Sequence, residues 1–186
     1  METFLSLCVG IGLAAACGFR VFVPLLVMSL MAQSGHLELT AHFEWIGTPY
    51  AGTAFAVATL VEILAYYIPY IDNLLDVIST PLAIVAGTVV TLSVLTGLPP
   101  FWTWSLALIA GGGVAGSTQT GTVALRGAST VTTAGFGNAL VSTGEWVGAA
   151  GTALLAIVLP IVALVVVVIF LLFLSRRMFL RFARSR

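Results

Sequence analysis

The sequence predicts an all-α integral membrane protein with a single transmembrane domain over residues 1–186. Of its 186 residues, 60% are hydrophobic and 8% are charged. Soluble domains carry about 25% charged residues, so this chain lacks the side chains needed to cover a water-facing surface. The apolar segments described next have the length that membrane helices require.

Six stretches of the chain are long and apolar enough to cross the hydrocarbon layer, which takes about 20 residues per helix. The first stretch is long and contains Gly18 and Pro24, so we expect its helix to be broken near them. Before the fourth stretch, "PPFWTW" predicts a turn with aromatic residues at the membrane interface. The six predicted spans cover residues 3–32, 50–69, 74–97, 102–125, 135–154 and 156–176.

The distribution of arginine predicts the orientation. Five of the seven arginines lie within residues 176–186, and basic tails stay on the cytoplasmic side. An even number of spans then places the N-terminus in the cytoplasm as well, together with the loop that contains Arg126. The acidic loop "HLELTAHFEW" faces outward. These features predict a multi-pass protein of an inner membrane with both termini cytoplasmic.

The two halves of the chain show a weak internal similarity. "SLCVGIGLAAACGFR" (6–20) aligns with "SLALIAGGGVAGSTQ" (105–119), which places Arg20 opposite Gln119. Glu62 and Glu145 each follow an Ala-Gly pair at the same interval. With three spans per half, repeats over about 1–98 and 101–178 would have opposite topology, as in many secondary transporters.

Glu62 and Glu145 are candidate binding residues because both lie in apolar segments. A charged group near the bilayer centre costs several kcal/mol and marks a functional site by default. Two such carboxylates could bind a cation or carry protons. Alternatively, each could hydrogen-bond a neighbouring helix, or one could pair with Arg20.

A second group of polar residues, Asp72, Asn73 and Asp76, follows "YIP" at the end of the second predicted span. Oxygen ligands at this density suit hard divalent cations. Glu62, Asp72 and Asp76 are therefore the predicted ligands of a metal ion. The alternative is a helix cap, in which Asp72 or Asn73 accepts a backbone hydrogen bond at the start of the third span.

Arg20 lies between Gly18 and Pro24 in "GFRVFVP". Pro24 removes a backbone donor and leaves the carbonyl of Arg20 without its helical partner. A broken helix at membrane depth is tolerated where it is buried in protein or lines a cavity. Arg20 is thus predicted to point at the break, where it could neutralise a glutamate, hold an anionic substrate or form a fixed ion pair.

The polar stretch "GSTQTGTVALRGASTVTTAGFGN" (116–138) contains no phosphate-binding or dinucleotide-binding pattern. We expect residues 117–122, including Gln119, to line a pathway, and the rest to form a cytoplasmic connection.

Several classes of function are not expected. The chain has no lysine and no net charge, so a nucleic-acid partner is not expected. Cys8 and Cys17 are interpreted as small hydrophobic residues. We find no nucleophile with a neighbouring base and no zinc-binding pair, so no enzymatic activity is predicted. No cofactor is predicted other than a bound divalent cation.

Four motifs connect the chain to a known family: "GLAAACGFRVFVPLLVMSL", "EILAYYIPYIDNLLD", "ALIAGGGVAGSTQ" and "LRGASTVTTAGFGN". In these the chain resembles a bacterial membrane family known only as domain of unknown function 4126, over nearly its whole length. The resemblance implies a small multispan protein of one domain and brings no established activity with it.

The leading functional hypothesis is a small inverted-repeat transporter or channel for an inorganic cation, coupled to protons and working as a homodimer in the lipid bilayer. In it, Glu62 and Glu145 bind the ion with help from the Asp72–Asp76 segment. One alternative is an anion or phospholipid transporter with Arg20 as the binding charge. Another is a membrane scaffold or accessory subunit that transports nothing.

Overall fold

The computed structural model describes residues 1–68, 71–133 and 135–184, and it describes their side chains except at positions 72, 73 and 178–184. No β-strand occurs in these ranges, which confirms the all-helical prediction. The helices are α1 (Glu2–Phe19), α2 (Phe22–Gln33), a 3₁₀ helix (Ala41–Gly47), α3 (Pro49–Ala65), α4 (Ile71–Val94), α5 (Pro100–Leu106), a π-helical segment (Ala107–Gly112), α6 (Gly113–Thr133), α7 (Asn138–Val158) and α8 (Pro160–Arg184).

Within the described part of the chain, four helices are long and apolar enough to cross a membrane. A fifth span is obtained if the 3₁₀ helix and α3, which meet at 62°, count as one. Helix α6 is not among them, because Gly, Ser and Thr make up much of its sequence. The four helical segments are Glu2–Phe19, Leu74–Val94, Asn138–Val158 and Pro160–Arg177. The structure thus supports a multi-pass membrane protein without reproducing the six predicted spans.

The first predicted span is broken, as expected. Helix α1 ends at Phe19, Arg20 is extended with φ −148° and ψ 135°, and α2 begins at Phe22. Pro24 falls in the first turn of α2, where a backbone N–H would have no partner within the helix. The proline is therefore compatible with the start of a new helix.

Helix α2 runs back alongside α1 and does not continue the crossing. The backbone N–H of Thr96, just after α4, donates to Ser6 at the start of α1 (3.4 Å). The N–H of Thr40, which follows α2, donates to the carbonyl of Ser93 near the same end of α4 (2.8 Å). The prediction that residues 3–32 form one span is therefore wrong. They form a helical hairpin that turns at Arg20, because the extended residue reverses the chain direction.

The reversal changes the expected positions of the termini. Helices α1 and α8 run parallel, since the rings of Phe19 and Phe170 lie 5.6 Å apart and Gly12, earlier in α1, packs against Ala163, earlier in α8. The start of α1 and the end of α8 thus lie at opposite ends of the bundle. The prediction of two termini on one side is wrong, because it counted the hairpin as a single crossing.

The two segments aligned as repeats also run parallel. Gly10 and Gly111 both pack against Thr91, and further along both helices Gly18 packs against Ala115 and Thr118. Repeats of opposite topology would make these two segments antiparallel, so their alignment does not support the predicted inverted arrangement. The small residues that suggested a repeat instead let α1 and α6 approach each other closely.

Two local predictions also differ from the structure. The "PPFWTW" turn is the start of α5, with Pro100 as its first residue. The connection expected after residue 122 is helical up to Thr133. Threonine hydroxyls along α6 donate to carbonyls four residues earlier, for example Thr130 to Arg126 (3.0 Å). These bonds satisfy the polar side chains within the helix.

Helix α1 forms the centre of the bundle and packs against α4, α6, α7 and α8. Its core-facing residues, such as Leu13, Ala14 and Cys17, are fully buried. Helix α3 packs chiefly against α2, which leaves space between α3 and α4 for a cavity beside the turn of the hairpin.

Candidate functional site

Glu62 closes the break between α1 and α2. Its two carboxylate oxygens accept hydrogen bonds from the backbone N–H groups of Val21 (2.9 Å) and Phe22 (3.1 Å). The first N–H groups of a helix lack partners within it, and the helix dipole favours negative charge at this end. A glutamate of α3 thus stabilises the start of α2 from outside it.

Arg20 pairs with Glu145 rather than with Glu62. Its Nη2 lies 2.9 Å from Oε2 of Glu145, and the two side chains are 2% and 4% exposed. Arg20 also stands at the end of α1, where the helix dipole favours positive charge. The charges at both ends of the break therefore match the dipoles of the two helices.

Arg126 lies far from its predicted environment. It lies within α6 with its side chain 2% exposed, and it pairs with Asp76 (2.5 Å) and with Glu145. The prediction that Arg126 lies in a loop is therefore wrong. A helical spacing could have revealed it, because Gln119, Thr122 and Arg126 recur at intervals that place them on one face of a helix.

Tyr66 connects the two arginines. The guanidinium carbons of Arg20 and Arg126 lie 3.6 Å and 4.3 Å from the centre of its ring. Such contacts between cations and aromatic rings are favourable, most of all when they are buried. The Tyr66 hydroxyl shares a hydrogen bond with Ser79 (2.8 Å), which ties the end of α3 to α4. Neither Tyr66 nor Ser79 was predicted from the sequence.

We call Arg20, Glu62, Asp76, Arg126 and Glu145 the charge cluster. With all five groups ionised, two positive and three negative charges sum to −1. Buried ions are costly to desolvate, and pairing them offsets only part of that cost. The two arginines are paired with Glu145 and Asp76. The remaining negative charge is therefore that of Glu62.

The remaining predicted residues take different positions. Gln119 is 2% exposed and shares a face of α6 with Arg126, outside the ion pairs described above. Asp72 and Asn73 lie in the first turn of α4, so neither is its N-cap, and their side chains lie outside the described ones. Among the described residues, no group of three His, Cys, Asp or Glu side chains is placed to hold a metal ion. The metal set that includes Asp72 stays a prediction.

A cavity of about 810 Å³ lies between α3 and α4 and reaches the charge cluster. Glu62, Tyr66 and Ser79 supply polar groups to its wall. The other lining residues are mostly apolar: Phe22, Tyr50, Thr53, Ala54, Val57, Ala58, Val61, Ala65, Leu75, Ile78 and Leu82. The half-buried carboxylate of Glu62 is thus the point at which the cluster meets accessible space.

Several buried polar atoms near the cluster have no hydrogen-bond partner in the described structure. They include Nε and Nη1 of Arg20, Oε1 of Glu145, Nε of Arg126 and the hydroxyls of Thr118 and Ser142. Buried polar atoms are costly when unpaired, and most of them in proteins are satisfied. The cluster therefore has spare donors and acceptors.

Comparison with known proteins gives one relationship. The model of a family described as a domain of unknown function, DUF4126, matches residues 7–179. No curated protein and no solved structure matches the chain. The match covers nearly the whole helical bundle, including every member of the charge cluster. The chain therefore belongs to the family of the domain of unknown function DUF4126.

Proposed function

We propose that this protein is a small transporter for a cation, coupled to protons through Glu62. The observation that carries the proposal is the position of the Glu62 carboxylate, which lines the cavity between α3 and α4 and also holds the start of α2. One group thereby links a binding space to the turn of a helical hairpin. The proposal is a transport function and involves no chemical reaction.

The contacts of Glu62 suggest how binding could be coupled to movement. A carboxylate has about four lone-pair sites, and the backbone N–H groups of Val21 and Phe22 use two of them. A proton or a cation at the remaining sites would weaken the attraction between the carboxylate and the helix start. Because ligands shift an equilibrium only through different affinities for its two states, this weakening would favour a hairpin displaced from α3.

The membrane arrangement is part of the proposal. We infer from the arginines at the end of α8 and the positive-inside rule that this end lies on the cytoplasmic side of a bacterial inner membrane. The start of α1 and the segment 34–48 then lie on the other side. In place of six spans, we propose that the α1–α2 hairpin enters from that side and that α3, α4, α5–α6, α7 and α8 cross. We keep the homodimer as the expected assembly.

Cation flux into proteoliposomes tests the function. Purified protein is reconstituted and assayed with a panel of inorganic and organic cations, with and without a pH gradient. We expect flux for wild type and its loss in Glu62→Gln. Glu44→Gln is the matched control, because Glu44 is exposed in the 3₁₀ helix and its substitution should leave flux unchanged. Equal flux in wild type and Glu62→Gln would contradict the proposal.

A second candidate function is anion transport with Arg20 as the binding charge. It is favoured by the two nitrogen atoms of Arg20, Nε and Nη1, that have no partner in the described structure. The same vesicles, loaded with chloride or phosphate, distinguish the two candidates. Anion flux that is lost in Arg20→Gln and kept in Glu62→Gln would support this candidate. No flux of either sign, in protein that is folded, would support the scaffold hypothesis.

A further inference from the structure

We propose that the cavity between α3 and α4 binds a lipophilic monocation, with its charged centre beside Glu62 and its apolar body between the two helices. This inference rests on the proposed function, because it names the class of cation that the transporter would accept. Three features of the cavity point to this class: its charge, its walls and its size.

The charge of the cavity is negative and localised. Among the lining residues that the structure describes, Glu62 is the one charged side chain. The positive groups nearest to it, Arg20 and Arg126, are already paired with Glu145 and Asp76. A bound monocation would bring the cluster from a charge of −1 to neutrality. An anionic ligand would instead add negative charge in a medium of low dielectric constant, which is strongly unfavourable.

The walls of the cavity are unsuited to a hydrated inorganic ion. Val57 and Val61 of α3 and Ile78 and Leu82 of α4 line it, and none of these side chains can replace a water ligand. An ion that enters such a space loses hydration without compensation. An organic cation carries its charge inside an apolar shell, so the same walls favour it through burial of apolar surface.

The size and the aromatic content of the cavity agree with this class of ligand. A volume of about 810 Å³ lies in the range of about 300–1,000 Å³ that is typical of sites for drug-sized molecules. Phe22 lines the cavity next to Glu62 and offers a ring surface to a cation. Tyr66 does so less, because both arginines already lie against its ring. A lipid chain could also fill the space between the apolar walls, but it would leave the Glu62 carboxylate without a counter-charge.

Binding of tetraphenylphosphonium to the full chain in nanodiscs tests the inference directly. Equilibrium dialysis with the labelled cation is compared for wild type, Glu62→Gln, Glu44→Gln and empty nanodiscs. We expect saturable binding to wild type and to Glu44→Gln, and at least about tenfold weaker binding to Glu62→Gln, since a buried charge loses its partner. Lowering the pH should also weaken binding to wild type, because protons and the cation compete for one carboxylate.

Tetraphenylborate has nearly the same shape and the opposite charge, so it serves as the control ligand. We expect no saturable binding of this anion above the level of empty nanodiscs. Equal binding of both ions to wild type, or equal binding of the cation to wild type and Glu62→Gln, would overturn the inference and indicate an apolar lipid site.

A second variant keeps the test valid if Glu62→Gln fails to fold. Ala58 lines the cavity, and Ala58→Phe should fill part of it while Glu62 stays in place. We expect this variant to melt within a few degrees of wild type and to lose saturable binding of tetraphenylphosphonium. Unchanged binding in a folded Ala58→Phe variant would place the ligand elsewhere and overturn the inference.

The outcomes separate the inference from the proposed function. Inorganic cation flux that depends on Glu62, without tetraphenylphosphonium binding, would overturn the inference and keep the transporter. Binding that depends on Glu62, without flux of any cation, would keep the binding site and overturn the transporter.

Discussion

Arg20, the residue at which the first helix breaks, forms a buried ion pair with Glu145, which lies 125 positions further along the chain. The same carboxylate also accepts from Arg126. Glu145 thereby holds together the end of α1 and the middle of α6 from its position on α7. This shared acceptor joins Arg20, Glu145, Arg126 and Asp76 into a single unit, in which the loss of one member affects the others.

The first prediction concerns the stability of this unit. Glu145→Gln should lower the free energy of unfolding by about 3–5 kcal/mol, because it leaves two buried arginines short of a negative partner. Arg126→Gln should have an effect of similar size, because the carboxylates of Asp76 and Glu145 lose the arginine that they share. Thermal unfolding in detergent, followed by circular dichroism, measures both changes. The double variant should lose less than the sum of the two, because the residues interact. Additive losses would show that they do not act as a unit.

The second prediction concerns the start of α2. Glu62→Ala removes the acceptor for the backbone N–H groups of Val21 and Phe22. The loss of a helix cap costs about 1 kcal/mol, which should raise amide hydrogen exchange in the first turn of α2 about fivefold. Mass spectrometry of the peptide that covers residues 20–30 detects the change. Glu44→Ala should leave this peptide unchanged. Unaltered exchange in Glu62→Ala would mean that the helix start does not depend on the carboxylate.

The third prediction tests the reversal of the chain at Arg20. Glu2, at the start of α1, and Ser34, just after α2, are both exposed, and the reversal places them at the same end of the bundle. Single cysteines at these two positions should therefore react with a membrane-impermeant maleimide from the same side of oriented vesicles, and a cysteine in place of the exposed Ser175, near the end of α8, should react from the other side. The native Cys8 and Cys17 are fully buried and should contribute little background. Labelling of positions 2 and 34 from opposite sides would contradict the hairpin.

The fourth prediction concerns the close contact between α1 and α6. A side chain at Gly18 would overlap the backbone of Ala115 and the side chain of Thr118, so Gly18→Val should cost about 1–3 kcal/mol of stability through overpacking. Gly148 in α7 is the matched control, because nothing lies near the position of its missing Cβ. Gly148→Ala should be neutral or stabilise the protein by up to about 1 kcal/mol through helix propensity. The melting temperatures of the two variants are measured side by side with that of wild type. A melting temperature of Gly18→Val equal to that of wild type would contradict the close contact.

The sequence by itself determined the class of the protein. Sixty per cent hydrophobic residues with 8% charged ones predict helices in a membrane, and Gly18, Arg20 and Pro24 were sufficient to predict a broken helix. Glu62 and Glu145 could also be chosen from the sequence. A charged residue in an apolar membrane segment is energetically costly in any fold. Such a residue can therefore be identified as a candidate without knowledge of the helices around it.

Only the tertiary structure decided the direction of the chain after the break and the partners of the charges. Whether α2 continues α1 or turns back depends on contacts with Ser93 and Glu62, which lie more than thirty residues away. The same holds for Arg126, whose flanking Gly, Ser and Thr residues suit a loop as well as a helix. Its place in the core depends on Asp76 and Glu145 on two other helices. Local sequence limits the possible backbone conformations, and packing between distant segments selects among them.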